Sequence, residues 1–237
     1  MNSRDKLIIA LDVDNETRAM HFINLLKHDV KFFKIGFELF SSCGPSIVKS
    51  VKETGCEIFL DLKYHDIPNT VGKAAASITK LGVFMFNVHA SGGFDMMRKA
   101  REMSDEVSAQ LKIEPPKIIA VTVLTSMDEN GLKKTGVNDS IKDHVVRLAL
   151  LAKEAGLDGV VASPEEVKLI RKACGEHFLI VTPGVRPLWA AAGDQKRIAA
   201  PKETIASGAN FIVVGRPVLE AKNPVEAVRL ILKEMEG

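Results

Sequence analysis

The feature that most restricts the fold of this chain is a regular alternation of short apolar runs with longer amphipathic segments. Several runs carry apolar residues at consecutive positions, which is typical of strands buried on both faces of a parallel sheet. The segments between them repeat apolar residues at helical spacing. The sequence therefore predicts an α/β protein whose strand–helix units close into a (β/α)8 TIM barrel. The eight predicted strands are residues 7–11, 32–35, 57–62, 83–88, 117–123, 159–162, 178–182 and 211–214.

Chain length and composition favour a single barrel domain over residues 1–237. Barrels of this class commonly run to about 200–250 residues as one domain, and hydrophobic residues make up 46% of the chain, enough for one large core. No linker-like or low-complexity stretch divides the sequence. The alternative fold is a doubly wound open sheet, but no GxGxxG motif follows any predicted strand.

Charge and composition exclude several classes of partner. The 32 basic residues nearly balance the 30 acidic ones, and aromatic residues make up only 5% of the chain, so we expect no nucleic-acid binding. The apolar runs are far shorter than a membrane span. Asp5 and Lys6 lead directly into the first run, and we expect no signal peptide, no membrane association and a cytoplasmic location.

The clearest candidate for a functional site is the end of the third predicted strand. Asp61 and Lys63 are two residues apart, so on an extended chain their side chains project to the same side. Asp66 follows after the chain begins to turn. Charges at the end of a buried strand are costly unless they pair with each other or with a ligand. This group therefore predicts a binding or catalytic site.

Polar residues follow the other predicted strands at corresponding positions. Active sites of (β/α)8 barrels lie at the carboxyl ends of the strands. Side chains from six strands would converge there, which is difficult to explain as surface decoration. These residues are Asp12, Lys34, Asp61 with Lys63, Thr125, Arg186 and Arg216.

Two features predict a phosphate site beside strands seven and eight. Gly215 and Arg216 directly follow the eighth strand, where barrels often bind phosphate through backbone N–H groups and an arginine can add a bidentate contact. The long loop 183–201 fits a lid that closes over the phosphate, with Arg186 and Gln195 as donors. The alternatives are a turn glycine with a solvated arginine, and a merely flexible loop.

A metal or other cofactor is not expected. His65 and His89 have no second His or Cys at ligand spacing, which favours a structural hydrogen-bonding role for both. Three carboxylates could hold a hard cation, but two lysines among them already supply positive charge. The carboxylates are Asp12, Asp61 and Asp66, and the lysines are Lys34 and Lys63.

Taken together, these motifs resemble the orotidine 5′-phosphate decarboxylase family in its bacterial form, over nearly the whole chain. The segment DLKYHDIPNT at 61–70 is similar to the family signature. Later segments also match: VTVLTS at 121–126, PGVRP at 183–187, GDQ at 193–195 and VGRPV at 214–218. The resemblance implies a cofactor-independent enzyme of pyrimidine biosynthesis that converts orotidine 5′-phosphate to UMP and CO2.

The resemblance also implies roles for the charged residues. Lys63 would donate a proton to C6 of the pyrimidine, and Asp61 would lie against the substrate carboxylate. Lys34 and Asp66 would complete the charged chain. In the family the second aspartate of the motif reaches the site of the other subunit, which implies a homodimer in which Asp66 crosses to the neighbouring active site.

The remaining positions of the motifs are substrate contacts by the same resemblance. Asp12 and Lys34 would contact the ribose hydroxyls, and Thr125, with Ser126 as the alternative, would contact the pyrimidine. Five further positions are assigned to substrate binding, those near the phosphate among them. They are Ile67, Thr70, Gln195, Gly215 and Arg216, with Arg186 as a donor from the lid.

Two other functions remain as alternatives. The hexulose-phosphate synthase type of barrel shares Asp-x-Lys-x-x-Asp but uses magnesium, and resemblance to it would require a glutamate near the position of Lys34. A phosphate-ligand binding barrel without catalysis would bind nucleotide and have a degraded charged chain. Here every charged member of the chain is present.

Overall fold

The computed structural model describes residues 2–190 and 199–236. Eight parallel strands form a closed barrel in which each strand pairs with the next and β8 pairs with β1. This closure confirms the predicted (β/α)8 barrel and excludes the open sheet. The strands are β1 (Leu7–Ala10), β2 (Phe32–Ile35), β3 (Glu57–Tyr64), β4 (Met85–His89), β5 (Lys117–Val121), β6 (Gly159–Val161), β7 (Leu179–Thr182) and β8 (Phe211–Val214).

Helices follow the strands along the chain. None of the helices in the described ranges is both long and apolar enough to cross a membrane. The helices are α1 (Glu16–Leu26), α2 (Phe37–Cys43), α3 (Ser46–Lys52), α4 (Pro68–Lys80), α5 (Phe94–Leu111), α6 (Glu129–Lys134), α7 (Ile141–Glu154), α8 (Val167–Cys174), α9 (Pro201–Ala206), α10 (Arg216–Leu219) and α11 (Pro224–Glu236).

The apolar core has two layers, one inside the barrel and one between the barrel and the helices. Along β1, Ile8 and Ala10 belong to the inner cluster, whereas Leu7 and Ile9 belong to the outer one. Successive side chains of a strand point to opposite faces, so a strand buried on both faces is apolar at most positions. This arrangement explains why the strands were recognisable as unbroken apolar runs.

Side-chain caps begin two of the helical segments. The side chain of Asn15 accepts a hydrogen bond from the backbone N–H of Arg18 at 2.9 Å and begins α1. Ser163 and Glu166 form a capping box ahead of α8, in which the backbone N–H of Ser163 donates to Glu166 Oε2 at 2.9 Å. Both residues are buried, and Glu166 satisfies backbone and hydroxyl donors at the same turn.

Several short helices and several strand boundaries differ from the sequence prediction. The short helices α2 and α6 have only seven and six residues, too few to show a helical apolar repeat. Strand β3 runs on to Tyr64 and β4 to His89. Lys63 and His89 therefore lie within strands, although both had been placed in the segments that follow them.

Arg171 of α8 ties together the segments that enter β7 and β8, at the end of the barrel opposite the charged residues. Its guanidinium donates five hydrogen bonds of 2.7–3.0 Å. A planar group with donors in a fixed fork suits such a role. The acceptors are the carbonyl oxygens of Gly175, Glu176, Phe178 and Gly208 and the side-chain Oδ1 of Asn210.

Substitution of Arg171 should therefore destabilise the fold. We expect Arg171→Met to lower the free energy of unfolding by about 2–4 kcal/mol, because it leaves several partly buried carbonyl oxygens without charged donors. Urea denaturation measures the change. The matched control is Arg98→Met, which removes an exposed arginine paired with Glu102 and should change stability by less than about 1 kcal/mol. Equal losses in the two variants would contradict the assignment.

Candidate active site

Four charged side chains form a continuous chain of alternating sign at the carboxyl ends of β1, β2 and β3. Lys34 Nζ lies 3.0 Å from Asp12 Oδ1 and 3.4 Å from Asp61 Oδ2. Lys63 Nζ lies 2.7 Å from Asp61 Oδ1. Asp61 is thus shared between two ammonium groups. The predicted convergence of these residues is present in the structure.

The register of the barrel explains why these side chains meet. Ala10 of β1 lies beside Lys34 of β2, which in turn lies beside Phe59 of β3. Phe59 belongs to the cluster inside the barrel, so Asp61, two residues further along the strand, also points inward. Asp12 follows the end of β1 by two residues. The strand ends therefore bring the group to one level at the mouth of the barrel.

Pairing keeps the two innermost groups charged despite their burial. The side chains of Lys34 and Asp61 are only 12% and 13% exposed. Burial alone would lower the pKa of Lys34, but attraction to Asp61 and Asp12 and hydrogen bonds with both outweigh it and raise the pKa. Burial likewise opposes ionisation of Asp61, yet Lys34, Lys63 and the hydrogen bond from Asn87 lower its pKa below the ordinary value.

The backbone at Lys63 departs from the extended conformation assumed in the sequence analysis. Its φ is 45°, in the left-handed region, and the pairing of β3 with β4 shifts register between Leu60 and Tyr64. The side chains of Asp61 and Lys63 meet because of this local bend and not by simple alternation. The sequence analysis also missed Asn87 of β4, a fully buried residue that donates from Nδ2 to Asp61 Oδ1 at 2.6 Å. A lone Asn in an apolar run was the available signal, because buried amides need partners.

A cavity opens beside this chain, with one charged wall and an otherwise mainly apolar lining. The charged wall is formed by Lys34, Asp61 and Lys63. Thr125 lies on the lining, as predicted, whereas its neighbour Ser126 does not contribute to it. Such a cavity suits a ligand with an apolar ring and a few polar edges. The other lining residues are Phe59, Val121, Val123, Leu124, Val161, Ala162, Pro183 and Val213.

Phe37, at the start of α2, adds an aromatic side chain that the sequence analysis did not identify. The Nζ of Lys63 lies 5.5 Å from the centre of its ring. This distance allows a cation–π attraction to the ammonium group. Phe37 is 56% exposed as a residue, so it forms part of the rim of the site rather than of the core.

Three of the four residues predicted to bind phosphate, Arg186, Gly215 and Arg216, lie just beyond the ends of β7 and β8. Arg186 and Arg216 line one shared depression, together with Trp189. Gly215 lies against Asp12, since a Cβ at that position would be 3.2 Å from Asp12 Oδ2. Gln195, Gly193 and Asp194 lie outside the described residues. The base of the loop is joined by a hydrogen bond from the Arg186 N–H to the carbonyl of Ala199 at 3.0 Å.

Three further predicted site residues lie on an exposed segment and do not line the cavity. Residues 65–70 are all exposed, and this segment contains Asp66, Ile67 and Thr70. Asp66 Oδ1 accepts a hydrogen bond from the backbone N–H of Ile67 at 2.6 Å. It forms no ion pair with any residue of the described ranges. The side chain of Ile67 is 66% exposed, which is unusual for a large apolar residue beside a site.

The two histidines lie next to each other near Lys63. Their ring centres are 5.5 Å apart. Burial, and then the nearby charges of His65 and Lys63, lower the pKa of His89 and favour its neutral form. Within residues 2–190 and 199–236 there is no group of three or more His, Cys, Asp or Glu side chains placed to hold a metal ion.

Comparison with known proteins identifies the family. A sequence model of the orotidine 5′-phosphate decarboxylase / HUMPS family matches residues 5–231. The chain belongs to this family. The relative from Geotalea daltonii, named orotidine 5′-phosphate decarboxylase, is 50% identical over 98% of this chain and 97% of its own length. The relative of the same name from Syntrophotalea carbinolica is 52% identical over 99% of this chain and 96% of its own length.

A solved structure of the family supports the same assignment of fold. The crystal structure of orotidine 5′-phosphate decarboxylase from Lactobacillus acidophilus matches with a TM-score of 0.87 and 39% sequence identity. The match covers 98% of this chain and 100% of that one. The barrel and its order of strands are therefore those of the family.

The lowered pKa of Asp61 predicts a defined dependence of stability on pH. Since the folded-state pKa lies below the ordinary value of 3.8, the stability that this group contributes is present above pH 3.8 and is lost as the pH falls through the folded-state pKa. We therefore compare the free energies of unfolding of the wild type and of Asp61→Asn. The wild type minus variant difference should decrease as the pH is lowered from about 5 to about 2. Urea denaturation at several pH values measures this difference, and a constant difference would contradict the prediction.

Proposed function

We propose that this chain decarboxylates orotidine 5′-phosphate to UMP and CO2 without a cofactor. The observation that carries the proposal is the chain of alternating charges from Asp12 to Lys63, three members of which, Lys34, Asp61 and Lys63, form one wall of a cavity at the mouth of the barrel. Relatives about 50% identical over nearly the full chain bear the name of this activity. The product enters pyrimidine nucleotide synthesis.

The cavity suits the three parts of this substrate. The pyrimidine would lie against the apolar lining with Thr125 at its polar edge, and the ribose hydroxyls would meet Asp12 and Lys34. The phosphate would lie toward Gly215 and the two arginines of the neighbouring depression. Gln195, Ile67 and Thr70 complete the proposed substrate contacts.

The chemical step requires a proton donor beside C6. The bond between C6 and the carboxylate breaks, its electron pair stays on C6, and CO2 leaves. No adjacent carbonyl group delocalises the resulting carbanion. We assign the proton donor to Lys63, whose Nζ–H would bond to C6 and give UMP, after which the neutral amine regains a proton from solvent. The ammonium group is already held at 2.7 Å by Asp61, so it stabilises the developing charge without reorganisation.

Asp61 has a second effect on the bound substrate. Its lowered pKa means that it is ionised at neutral pH, and the substrate brings a second carboxylate against it. Repulsion between the two raises the energy of the bound substrate, and the loss of neutral CO2 relieves it. Binding energy from the distant phosphate offsets this repulsion.

A homodimer completes the proposal. The exposed segment 65–70 carries Asp66, Ile67 and Thr70, and these residues do not reach the cavity of their own chain. Large apolar residues at this end of the barrel are more than half exposed, among them Ile67 at 66% and Phe37 at 56%. Exposed apolar residues beside a site are typical of a surface that another chain covers. We infer that Asp66 acts in the site of the neighbouring subunit.

The magnesium-dependent alternative in the same family is less well supported. By resemblance, that group would need a metal-binding glutamate near the position of Lys34. Here Lys34 is tied to Asp12 and Asp61 within 3.4 Å, and its positive charge stands where a cation would bind.

Turnover of orotidine 5′-phosphate, followed by ultraviolet absorbance in EDTA, tests the reaction. We expect turnover by the wild type and a loss of at least ~10⁴-fold in kcat for Lys63→Ala, because both proton donation and charge stabilisation disappear. Lys80→Ala, which removes an exposed lysine of α4, is the matched control and should keep full activity. Folded wild-type protein that is inactive in EDTA but active with magnesium on a sugar phosphate would overturn the proposal.

Mixing two inactive variants tests the role of Asp66. If Asp66 serves the neighbouring site, a hybrid of Lys63→Ala and Asp66→Ala subunits contains one complete site. Random pairing makes about half the dimers hybrid, so activity should recover to roughly one quarter of the wild-type value. If Asp66 serves its own subunit, no site is complete and the mixture stays inactive. The mixture is denatured and refolded together, with each variant refolded alone as the control.

A further inference from the structure

Asn87 is a fully buried polar residue in the middle of the apolar strand β4. Its amide makes two short hydrogen bonds, both to β3. The oxygen Oδ1 accepts from the backbone N–H of Lys63 at 2.7 Å, and Nδ2 donates to Asp61 Oδ1 at 2.6 Å. One side chain therefore holds both the backbone of the lysine and the carboxylate that binds its ammonium group.

The pairing of β3 with β4 explains why a side chain is needed here. Leu60 lies beside Phe86 and Tyr64 lies beside Val88, so residues 61–63 of β3 face the single residue Asn87. The regular ladder cannot satisfy the extra backbone groups of such a bulge. The amide oxygen of Asn87 takes the place of a strand carbonyl for the N–H of Lys63.

The bulge also contains the strained residue of the site. Lys63 has φ of 45°, a left-handed conformation that residues other than glycine adopt rarely. Such a conformation persists only where the surroundings enforce it. The 2.7 Å bond from its N–H to Asn87 is a direct restraint on this backbone.

The second bond of Asn87 orients the carboxylate of Asp61. Oδ1 receives both the ammonium of Lys63 and the amide of Asn87, which leaves Oδ2 toward Lys34 at 3.4 Å. A donor on Oδ1 fixes which oxygen faces each lysine. Substitution of a group that orients a functional side chain in this way typically lowers activity by about 10- to 100-fold.

We propose that Asn87 is a positioning residue, which sets the Lys63 ammonium for its reaction by fixing the backbone of Lys63 and the rotation of Asp61 together. This inference rests on the proposed function of Lys63. Asn87 does not line the cavity, so it acts through these two residues and not on the substrate itself. Its loss should therefore affect the chemical step more than substrate binding.

The first test compares Asn87→Ala with a control that removes an equally buried hydrogen bond elsewhere. We expect kcat for orotidine 5′-phosphate to fall by about 100-fold or more, since small misplacements of reacting groups have effects of this size. KM and the Kd of UMP should change by less than about threefold. The control is Ser104→Ala, which removes the buried hydroxyl contact of 2.8 Å with Thr79 between α4 and α5 and should leave kcat unchanged.

The second test uses Asn87→Asp, which keeps an acceptor for the N–H of Lys63. When protonated, the introduced carboxyl can also donate to Asp61; when ionised, it cannot donate and repels Asp61. We expect kcat of this variant, relative to the wild type, to rise as the pH is lowered from about 8 to about 5. A role confined to stability would not give the variant a new ionisation in its profile of kcat against pH.

The outcomes separate this inference from the proposed function. If the wild type turns over and folded Asn87→Ala keeps kcat within about threefold of it, the positioning role is wrong. If Asn87→Ala does not fold, the pH profile of Asn87→Asp decides the question. If the wild type shows no turnover, the proposed function fails. A crystal structure of Asn87→Ala then tests whether Asn87 holds the backbone of Lys63 and the carboxylate of Asp61 in place. A retained left-handed Lys63 at 2.7 Å from Asp61 would then overturn the positioning role.

Discussion

The interaction on which the site depends is the sharing of one buried carboxylate between two ammonium groups. Asp61 would be costly to bury alone, and so would either Lys34 or Lys63. Together with Asp12 they form a chain of two acids and two bases, in which each inner charge has partners of opposite sign within 3.4 Å. The cost of burial explains why the group must be assembled as a unit, with its members drawn from three strands.

The barrel separates the part of the molecule that holds this unit from the parts that stabilise the fold. Apolar side chains fill the inside of the barrel and the layer beneath the helices, and Arg171 joins the segments entering β7 and β8 at the opposite end. Contacts remote from the charged chain therefore hold most of the barrel together. Strain at the mouth, such as the left-handed backbone of Lys63, can be tolerated because the surrounding structure is over-determined.

Much of the fold and of the charged site could be predicted from the sequence, because strands buried on both faces are apolar at most positions and end in recognisable polar residues. The role of Asn87 could not be predicted, because it arises where three residues of β3 face one residue of β4. The sequence of one strand does not determine its pairing register with the next. Phe37 was missed because α2 is too short to show a repeat. Asp66 is exposed in one chain, so its role in the site of a neighbouring subunit stays a prediction.

The balance of charge in the site explains why binding of the substrate phosphate matters to the reaction proposed at C6 of the pyrimidine. The charged chain is neutral overall, and the ammonium of Lys63 is already bound to Asp61 at 2.7 Å. A substrate carboxylate entering beside Asp61 adds negative charge to a group that is already balanced. The free energy for this step must come from contacts made elsewhere, and Arg186 and Arg216 lie where the phosphate would supply it. In the proposed reaction, departure of CO2 moves the added negative charge from the carboxylate to C6, beside the Lys63 ammonium that would supply the proton.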